Sequence, residues 1–366
     1  MIKLFISNDI SEKDKEYYLN SWWIPFNELK KFGWVCKSQH DIPSLKSYIE
    51  RENERVAVIY FMNCRTYIIN NWKYISDSSF YKFFHVDDMH QSGAKTKEHR
   101  LRIFKNFDYI FCSYEYCFKN FFKDINPGKT IWYPHSIKDD FKVSFNFEPE
   151  QKLLLSGNID ENIYPARYKV KTIYDSKHLP IDFLEHKGYS SRQKHNIIGK
   201  KFIEHLSKYI CCFTCCSNKK TPYIVAKFFE IPASGSLLLA YDEHIKKHMS
   251  RLGFKDGVNY ISCTINNIEQ KIKWVLDPTN KREVDQIRLN GYLLVWSKHT
   301  QSDRLKIIDE IANELITATE YEKVLESLKK QRVSDSIIIN NQKSRLEKYE
   351  RAINNIRHEI NLSSTT

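Results

Sequence analysis

The chain has 366 residues, a formal net charge of +12, 42% hydrophobic residues and 14% aromatic residues. That length favours two domains over one, and the apolar content suffices for packed cores rich in Phe and Tyr. Ten Gly and ten Pro exclude a low-complexity chain, and the scattered Lys and Arg, with no basic block, argue against a reader of nucleic-acid sequence.

Nine cysteines, an odd number without framework spacing, and no signal peptide point to a reducing, cytoplasmic setting. The longest apolar runs are strand-sized, so no membrane span is expected. The positive charge suits an anionic ligand.

In chain order, Ile2–Ser7 reads as a strand, 23–31 as a helix closed by Gly33, 34–37 as a strand and 43–51 as a helix. The run Arg55–Met62 (RVAVIYFM) is continuous and β-branched or aromatic, the pattern of a strand buried on both faces. A helix over 66–75, a strand over 81–86, a helix over 95–107, a strand over 109–113, a helix over 114–122 and a strand over 129–133 follow. Repeated βα units with short connections predict a parallel, doubly wound sheet. The polar stretch 134–151 marks a domain boundary.

A second series starts with a strand over 152–156 and helices over 165–173 and 201–207. A strand over 209–216, a helix over 222–231 and a strand over 236–240 come next. A helix near 242–252, a strand over 260–262 and helices from Ile265 to about Leu315 complete the second domain. The division is therefore 1–140, an N-terminal Rossmann-like domain; 150–315, a C-terminal Rossmann-like domain; and 316–366, a charged helical tail. In that tail Leu346, Tyr349, Ile353, Ile356 and Ile360 form a short a/d stripe. It fits a helix packed on its own domain or self-association.

Five constellations could carry chemistry. Ser156-Gly157-Asn158 ends a strand in a glycine loop, and Arg167 falls in the first turn of the helix that Pro165 opens. A cation there opposes the helix dipole, a conflict that a bound phosphate would remove. The alternative is a surface Arg paired with Asp160 or Glu161. Ser217–Thr221, with Lys219 and Lys220, follows a strand's carboxyl end, where ligands bind in open α/β sheets; Thr221 reads as an N-cap. In Lys227–Ala240 a helix end, a tight turn at Ser234-Gly235 and a buried strand succeed one another, with Lys227 and Glu230 one helical turn apart. Glu230 could accept hydrogen bonds from a ribose diol; the alternative is a simple i,i+3 ion pair with Lys227. His85-Val86-Asp87-Asp88-Met89-His90 could supply a general base or a metal site, or be a loop held by Asp turns. Cys211-Cys212-Phe213-Thr214-Cys215-Cys216 lacks a second ligand pair for zinc and reads as a core strand.

Taken together, LeuLeuLeuSerGly at 153–157, TyrProAlaArg at 164–167, LysPhePheGluIleProAlaSerGlySerLeuLeuLeu at 227–239 and LeuGlyPheLysAspGlyValAsnTyrIle at 252–261 resemble a GT-B glycosyltransferase of the glycosyl-transferases-group-1-like type. His299 and Arg304 before a late helix extend the likeness. AspTyrIlePheCysSer at 108–113 and TyrProHisSerIle at 133–137 carry it more weakly into the first domain. The resemblance implies two facing Rossmann-like domains with a sugar nucleotide, a UDP- or GDP-sugar, as co-substrate in the cleft and no tightly bound cofactor or metal. Glu230 matches the family's ribose-binding glutamate. Gly157, Asn158, Arg167, Thr221, Lys227, Ser234 and Gly235 would complete the nucleotide-diphosphate site. Asp87, Asp88 or His90 would orient or deprotonate the hydroxyl of a glycan, glycosylated protein or lipid acceptor. Many retaining relatives carry a second glutamate eight residues before the ribose glutamate; that position is Pro222 here, so the stereochemical course stays open. A nicotinamide-dependent oxidoreductase would need G-x-G-x-x-G after a first strand, which is absent. A non-catalytic binding protein on the same fold is the other rival.

Overall fold

The computed structural model describes residues 1–8, 26–52, 55–87, 89, 94–185, 197–217, 221–330 and 347–348. The tail stripe at 346–360, Asn218–Lys220, Asp88 and His90 lie outside the described residues.

Two all-parallel sheets form. The first contains β1 (Ile2–Ser7), β2 (Trp34–Ser38), β3 (Val56–Met62), β4 (Tyr81–Val86), β5 (Tyr109–Cys112) and β6 (Thr130–Trp132), in the order β2-β1-β3-β4-β5-β6. The second contains β7 (Glu150–Ser156), β8 (Ile181–Leu184), β9 (Tyr209–Cys215), β10 (Leu237–Tyr241) and β11 (Ile261–Cys263), in the order β11-β10-β9-β7-β8. These are the two Rossmann-like units expected from the alternating pattern. Each sheet has a point where the strand order reverses, between β1 and β3 and between β7 and β9. Ligands of open α/β sheets bind outside the strand carboxyl ends at such points.

The cysteine-rich run is β9, wholly buried, and all nine cysteines are free and buried. Burial pushes the Cys215 thiol up, although Arg167 and Lys227 pull it the other way. These are small apolar core residues, as expected.

β3 is buried on both faces. Ile59 and Phe61 point into one cluster, and Val58, Tyr60 and Met62 into another. The second cluster is closed by the last long helix. Helix α1 spans Phe26–Lys30, α2 Leu45–Glu52, α3 Arg65–Asn70, α4 Trp72–Asp77, α5 Ala94–Asn106, α6 Glu115–Phe121, α7 Pro165–Asp175, α8 Lys200–Leu206, α9 Lys227–Ala233, α10 Lys246–Arg251, α11 Ile268–Leu276, α12 Lys281–Lys298 and α13 Gln301–Lys330. Leu305, Ile308 and Ala312 of α13 lie against Phe5, Val58, Phe83 and Phe111 of the first sheet. Asp309 of α13 meets Lys3 Nζ at 2.5 Å and accepts from Trp34 Nε1 at 2.8 Å. The helices up to Leu315 thus do not all pack on the second sheet; from Gln301 the chain returns to the first.

Two chain crossings between the domains run side by side. Ile137 N–H donates to the His299 carbonyl and Gln301 N–H to the Ile137 carbonyl. Arg304, 5% exposed, ties both crossings together. Its Nε donates to Pro134 O at 3.1 Å, Nη2 to His135 O at 3.3 Å and to His299 Nδ1 at 2.7 Å, and Nη1 to Lys298 O at 3.2 Å. His299 Nε2 donates to Leu252 O, which leaves Nδ1 as the acceptor for Arg304; burial and the neighbouring guanidinium push the ring pKa down to about 4.

The local pattern misses in three places. A helix over 66–75 is divided into α3 and α4 at Asn71, whose side chain accepts from Leu45 N. β8, a short edge strand, has too little alternation to read. The helix expected over 222–231 begins only at Lys227. Residues 222–226 are diverted by the first domain: Tyr116 Oη donates to Pro222 O at 3.1 Å and accepts from Ile224 N at 2.9 Å. Those two backbone groups are therefore unavailable to a helical ladder.

Replacing Arg304 by Ala would leave its buried carbonyl partners unsatisfied, and a loss of about 3 kcal/mol is expected. Chemical denaturation of the two proteins measures it.

Candidate functional site

The switch point of the second sheet gathers four of the expected residues. β7 ends at Ser156, and Gly157 turns the chain with φ +99°. A Cβ at Gly157 would lie 3.0 Å from Lys227 Nζ and 3.2 Å from Arg167 Nη1, so glycine lets two cations close over the loop. Asn158 is exposed, and its carbonyl accepts from Arg167 Nη1 at 2.6 Å.

Arg167 sits in the first turn of α7, 3% exposed, with its guanidinium 4.1 Å over the Tyr164 ring. Neither Asp160 nor Glu161 forms an ion pair with it, and its Nε is buried without a partner. The surface-pair alternative is overturned. Lys227, half-buried on α9, has its ammonium 5.9 Å from the centroid of the Phe202 ring and makes no hydrogen bond or ion pair among the described residues. Burial, reinforced by Arg167, pushes its pKa down to about 8; Glu230 acts in the opposite sense.

Glu230 is 6% exposed, and its carboxylate forms no hydrogen bond or ion pair among the described residues. Burial raises its pKa, against the pull of Lys227. The i,i+3 ion pair with Lys227 does not form. Two cations held together and a buried carboxylate one turn away are costly for the chain by itself. An anion on the cations and hydroxyl donors on the carboxylate would relieve both.

Thr221 Oγ1 is 3.0 Å from Ser217 Oγ at the end of β9, but it caps no helix; α9 starts after Ala226. Ser234 and Gly235 are at the far end of α9, before β10, and so at the amino edge of the sheet. Ser234 Oγ donates to Ile231 O, and Gly235 O accepts from the buried Arg288. The Phe145 ring lies 3.0 Å from where a Gly235 Cβ would be. These two residues shape a turn and do not join Gly157, Arg167, Lys227 and Glu230.

From the first domain, Asp87 follows β4. Its Oδ1 is 3.6 Å from His135 Nε2, which in turn is 2.8 Å from Tyr114 Oη. Tyr114 stacks on Tyr223 of the second domain, centroids 3.9 Å apart and planes within 9°. This contact joins Tyr223 to the end of β5, and through Tyr114 to the His135 ring beside Asp87. Burial lowers the His135 pKa, with Asp87 opposing and Arg304 assisting. Tyr114 and Tyr223 were not singled out from the sequence, and His135 entered only within the likeness at 133–137, without a role; the other available signal was that His135 and Tyr114 each follow a strand's carboxyl end.

No family model and no curated protein matches the chain. Solved structures match its fold. A sucrose-phosphate synthase from Thermosynechococcus elongatus aligns over 87% of this chain and 100% of its own, with TM-score 0.58 and 9% identity. A glycosyltransferase from Rickettsia africae aligns over 86% and 98%, with TM-score 0.56 and 11% identity. Anabaena Alr3699/HepE, in complex with UDP and glucose, aligns over 86% and 100%, with TM-score 0.51 and 9% identity. At these identities the likeness is one of fold. The chain has the GT-B architecture of two Rossmann-like domains that its sequence resembles.

Lys227→Met should stabilise the ligand-free protein by about 1 kcal/mol at neutral pH, because a charge held against Arg167 is removed. The folded-state pKa of Lys227, about 8, lies below its ordinary 10.5. The wild-type penalty is therefore complete below pH 8 and fades as the pH rises from 8 to 10.5. Melting curves of both proteins across that range should converge at the alkaline end.

Proposed function

We propose that the protein is a glycosyltransferase that moves a sugar from a nucleotide-diphosphate sugar to an acceptor hydroxyl. The observation that carries this reading is the buried, unpaired Glu230 beside two cations, Arg167 and Lys227, at the switch point of the second sheet. A ribose diol on Glu230 and a diphosphate on the cations would satisfy every member of the group. The bound UDP of the Anabaena neighbour supports a nucleotide of this kind.

In the proposed reaction the acceptor oxygen bonds to the anomeric carbon while the bond from that carbon to the diphosphate oxygen breaks. The electron pair leaves on the diphosphate, where Arg167 and Lys227 offset the growing charge. The acceptor's proton passes to a carboxylate of the Asp87 loop, Asp87 being its described member. The cations take the part that a metal would otherwise play, so transfer should survive chelation by EDTA. The acceptor is a glycan or a glycosylated protein or lipid. Nine free, buried cysteines support a reducing, cytoplasmic setting. No described helix is long and apolar enough to cross a membrane.

Calorimetric titration with UDP and GDP tests the nucleotide site. Glu230→Gln should weaken the nucleotide that binds about tenfold or more while leaving inorganic pyrophosphate unaffected, since only the ribose contact changes. Equal loss for both ligands, or none for the nucleotide, would overturn the ribose assignment. Affinity should also fall as the pH rises through about 8, as Lys227 loses its proton. In Lys227→Met that limb should be absent. Asp87→Asn should abolish transfer with nucleotide affinity unchanged; binding without hydrolysis or transfer in the wild type would leave a nucleotide-binding protein on this fold.

A further inference from the structure

The residues before α9 favour a helix that starts earlier than the one the fold contains. With Thr221 as N-cap and Pro222 as first helical residue, Thr221 Oγ1 can accept from Ile224 N–H, and the Pro222 carbonyl accepts from Ala226 N–H. Those two groups, Ile224 N–H and the Pro222 carbonyl, are taken instead by one phenol from the other domain. Tyr116 Oη accepts from Ile224 N at 2.9 Å and donates to Pro222 O at 3.1 Å. Burial pushes the pKa of this phenol well above its ordinary value, so it keeps the proton it donates. Thr221 turns to Ser217.

The hydroxyl is held in place by its ring. The Tyr116 ring stacks on His248 of α10, centroids 4.0 Å apart, and Trp132 of β6 meets it edge-on at 5.8 Å. Within the held segment, Tyr223 is buried in the first domain's core and Ile224 in the second's. Neighbouring side chains thus belong to different cores. The first turn of α9 hangs from this segment. The Val225 carbonyl accepts from Phe228 N, and the Ala226 carbonyl from Phe229 N and Glu230 N. The backbone that Tyr116 holds therefore sets where that turn lies, and the turn carries Lys227 and Glu230. Lys227 Nζ then comes within 3.0 Å of the place a Gly157 Cβ would take. A helix begun at Pro222 would start about 7 Å further along its axis and move the whole approach to that turn.

We propose that Tyr116 is a positioning residue of the nucleotide site: from the first domain it holds Pro222 and Ile224 out of the helix, and it thereby fixes Lys227 and Glu230 beside Gly157 and Arg167. That this cluster binds a nucleotide rests on the transferase reading above; the placement of Lys227 by Tyr116 does not. Tyr116 acts through the backbone of 222–226 and not by contact with the ligand. The second domain does not define its site alone, so nucleotide affinity depends on a hydroxyl that the first domain supplies.

Two variants of the full-length protein test this. Tyr116→Phe keeps the stack on His248 and removes only the hydroxyl. Arg251→Ala removes a different contact between the domains, a guanidinium 4.4 Å over the Trp132 ring and 3.7 Å from Glu115, that involves no residue of 222–226. Calorimetry with UDP and GDP should show the nucleotide that binds the wild type weakened about tenfold or more in Tyr116→Phe, and inorganic pyrophosphate with it, because Lys227 moves. Both affinities should be unchanged in Arg251→Ala. The titration of Lys227 in the ligand-free proteins is the readout that lost packing alone does not move. In the wild type burial and Arg167 of α7 hold its pKa at about 8, against Glu230 of its own helix and Cys215 of β9. In Tyr116→Phe it should rise toward 10.5 as the ammonium leaves Arg167 for water, and in Arg251→Ala it should stay. Acylation of Lys227 followed by mass spectrometry across that pH range measures it. An unmoved Lys227 or an unchanged nucleotide affinity in Tyr116→Phe, or equal changes in Arg251→Ala, overturns the proposal. If no nucleotide binds the wild type while the Lys227 titration still shifts in Tyr116→Phe, the transferase reading falls and the placement of Lys227 by Tyr116 stands.

Discussion

One buried guanidinium governs how the two domains meet. Arg304 is satisfied by the carbonyls of Pro134, His135 and Lys298 and by His299 Nδ1, which belong to the two segments that cross between the sheets. One of those segments follows β6, and the other is the short break between α12 and α13. Four directed hydrogen bonds from one rigid, planar group set their relative register, and burial makes each bond costly to break. His135, whose carbonyl Arg304 holds, is also the residue whose ring lies beside Asp87. The clamp that joins the domains is therefore one residue from the first domain's half of the site.

The two halves of the site differ in physical character. In the second domain the unsatisfied groups are charges: Arg167 and Lys227 crowd Gly157, and Glu230 has no counter-ion. In the first domain they are neutral or singly charged hydrogen-bonding atoms, His85 Nε2 and Asp87 Oδ1. Charge left uncompensated in a folded chain recognises charge, and orphaned donors and acceptors recognise hydroxyls. The Tyr114–Tyr223 stack and the bonds of Tyr116 to residues 222–224 join the halves, so the loop after β9 belongs energetically to both domains.

Much of this was legible in the chain. Strands β3 and β9 read directly because strands buried on both faces are apolar at nearly every position. Gly157 and Glu230 read because strand-end loops of parallel sheets are where ligands bind. Ser234 and Gly235, adjacent in sequence to the informative helix, were drawn into the site by proximity alone; α9 carries them to the opposite edge of the sheet. Tyr114 was missed, and His135 was quoted at 133–137 without a role, because nothing local marks either as a contact of Asp87.

By itself, then, the sequence determined what repeats along it: period and burial of strands, alternation with helices, and the turn chemistry that ends them. Those depend on neighbours within a few residues. Only the tertiary structure decided what depends on distant partners. Residues 222–226 stay outside the helix because Tyr116 occupies the Pro222 carbonyl and the Ile224 N–H, α13 returns to the first sheet because Leu305, Ile308 and Ala312 complete that core, and Lys227 and Glu230 stay unpaired because one faces Arg167 and the other is buried. Spacing placed that lysine and glutamate on one helical turn; the fold withheld a partner from each.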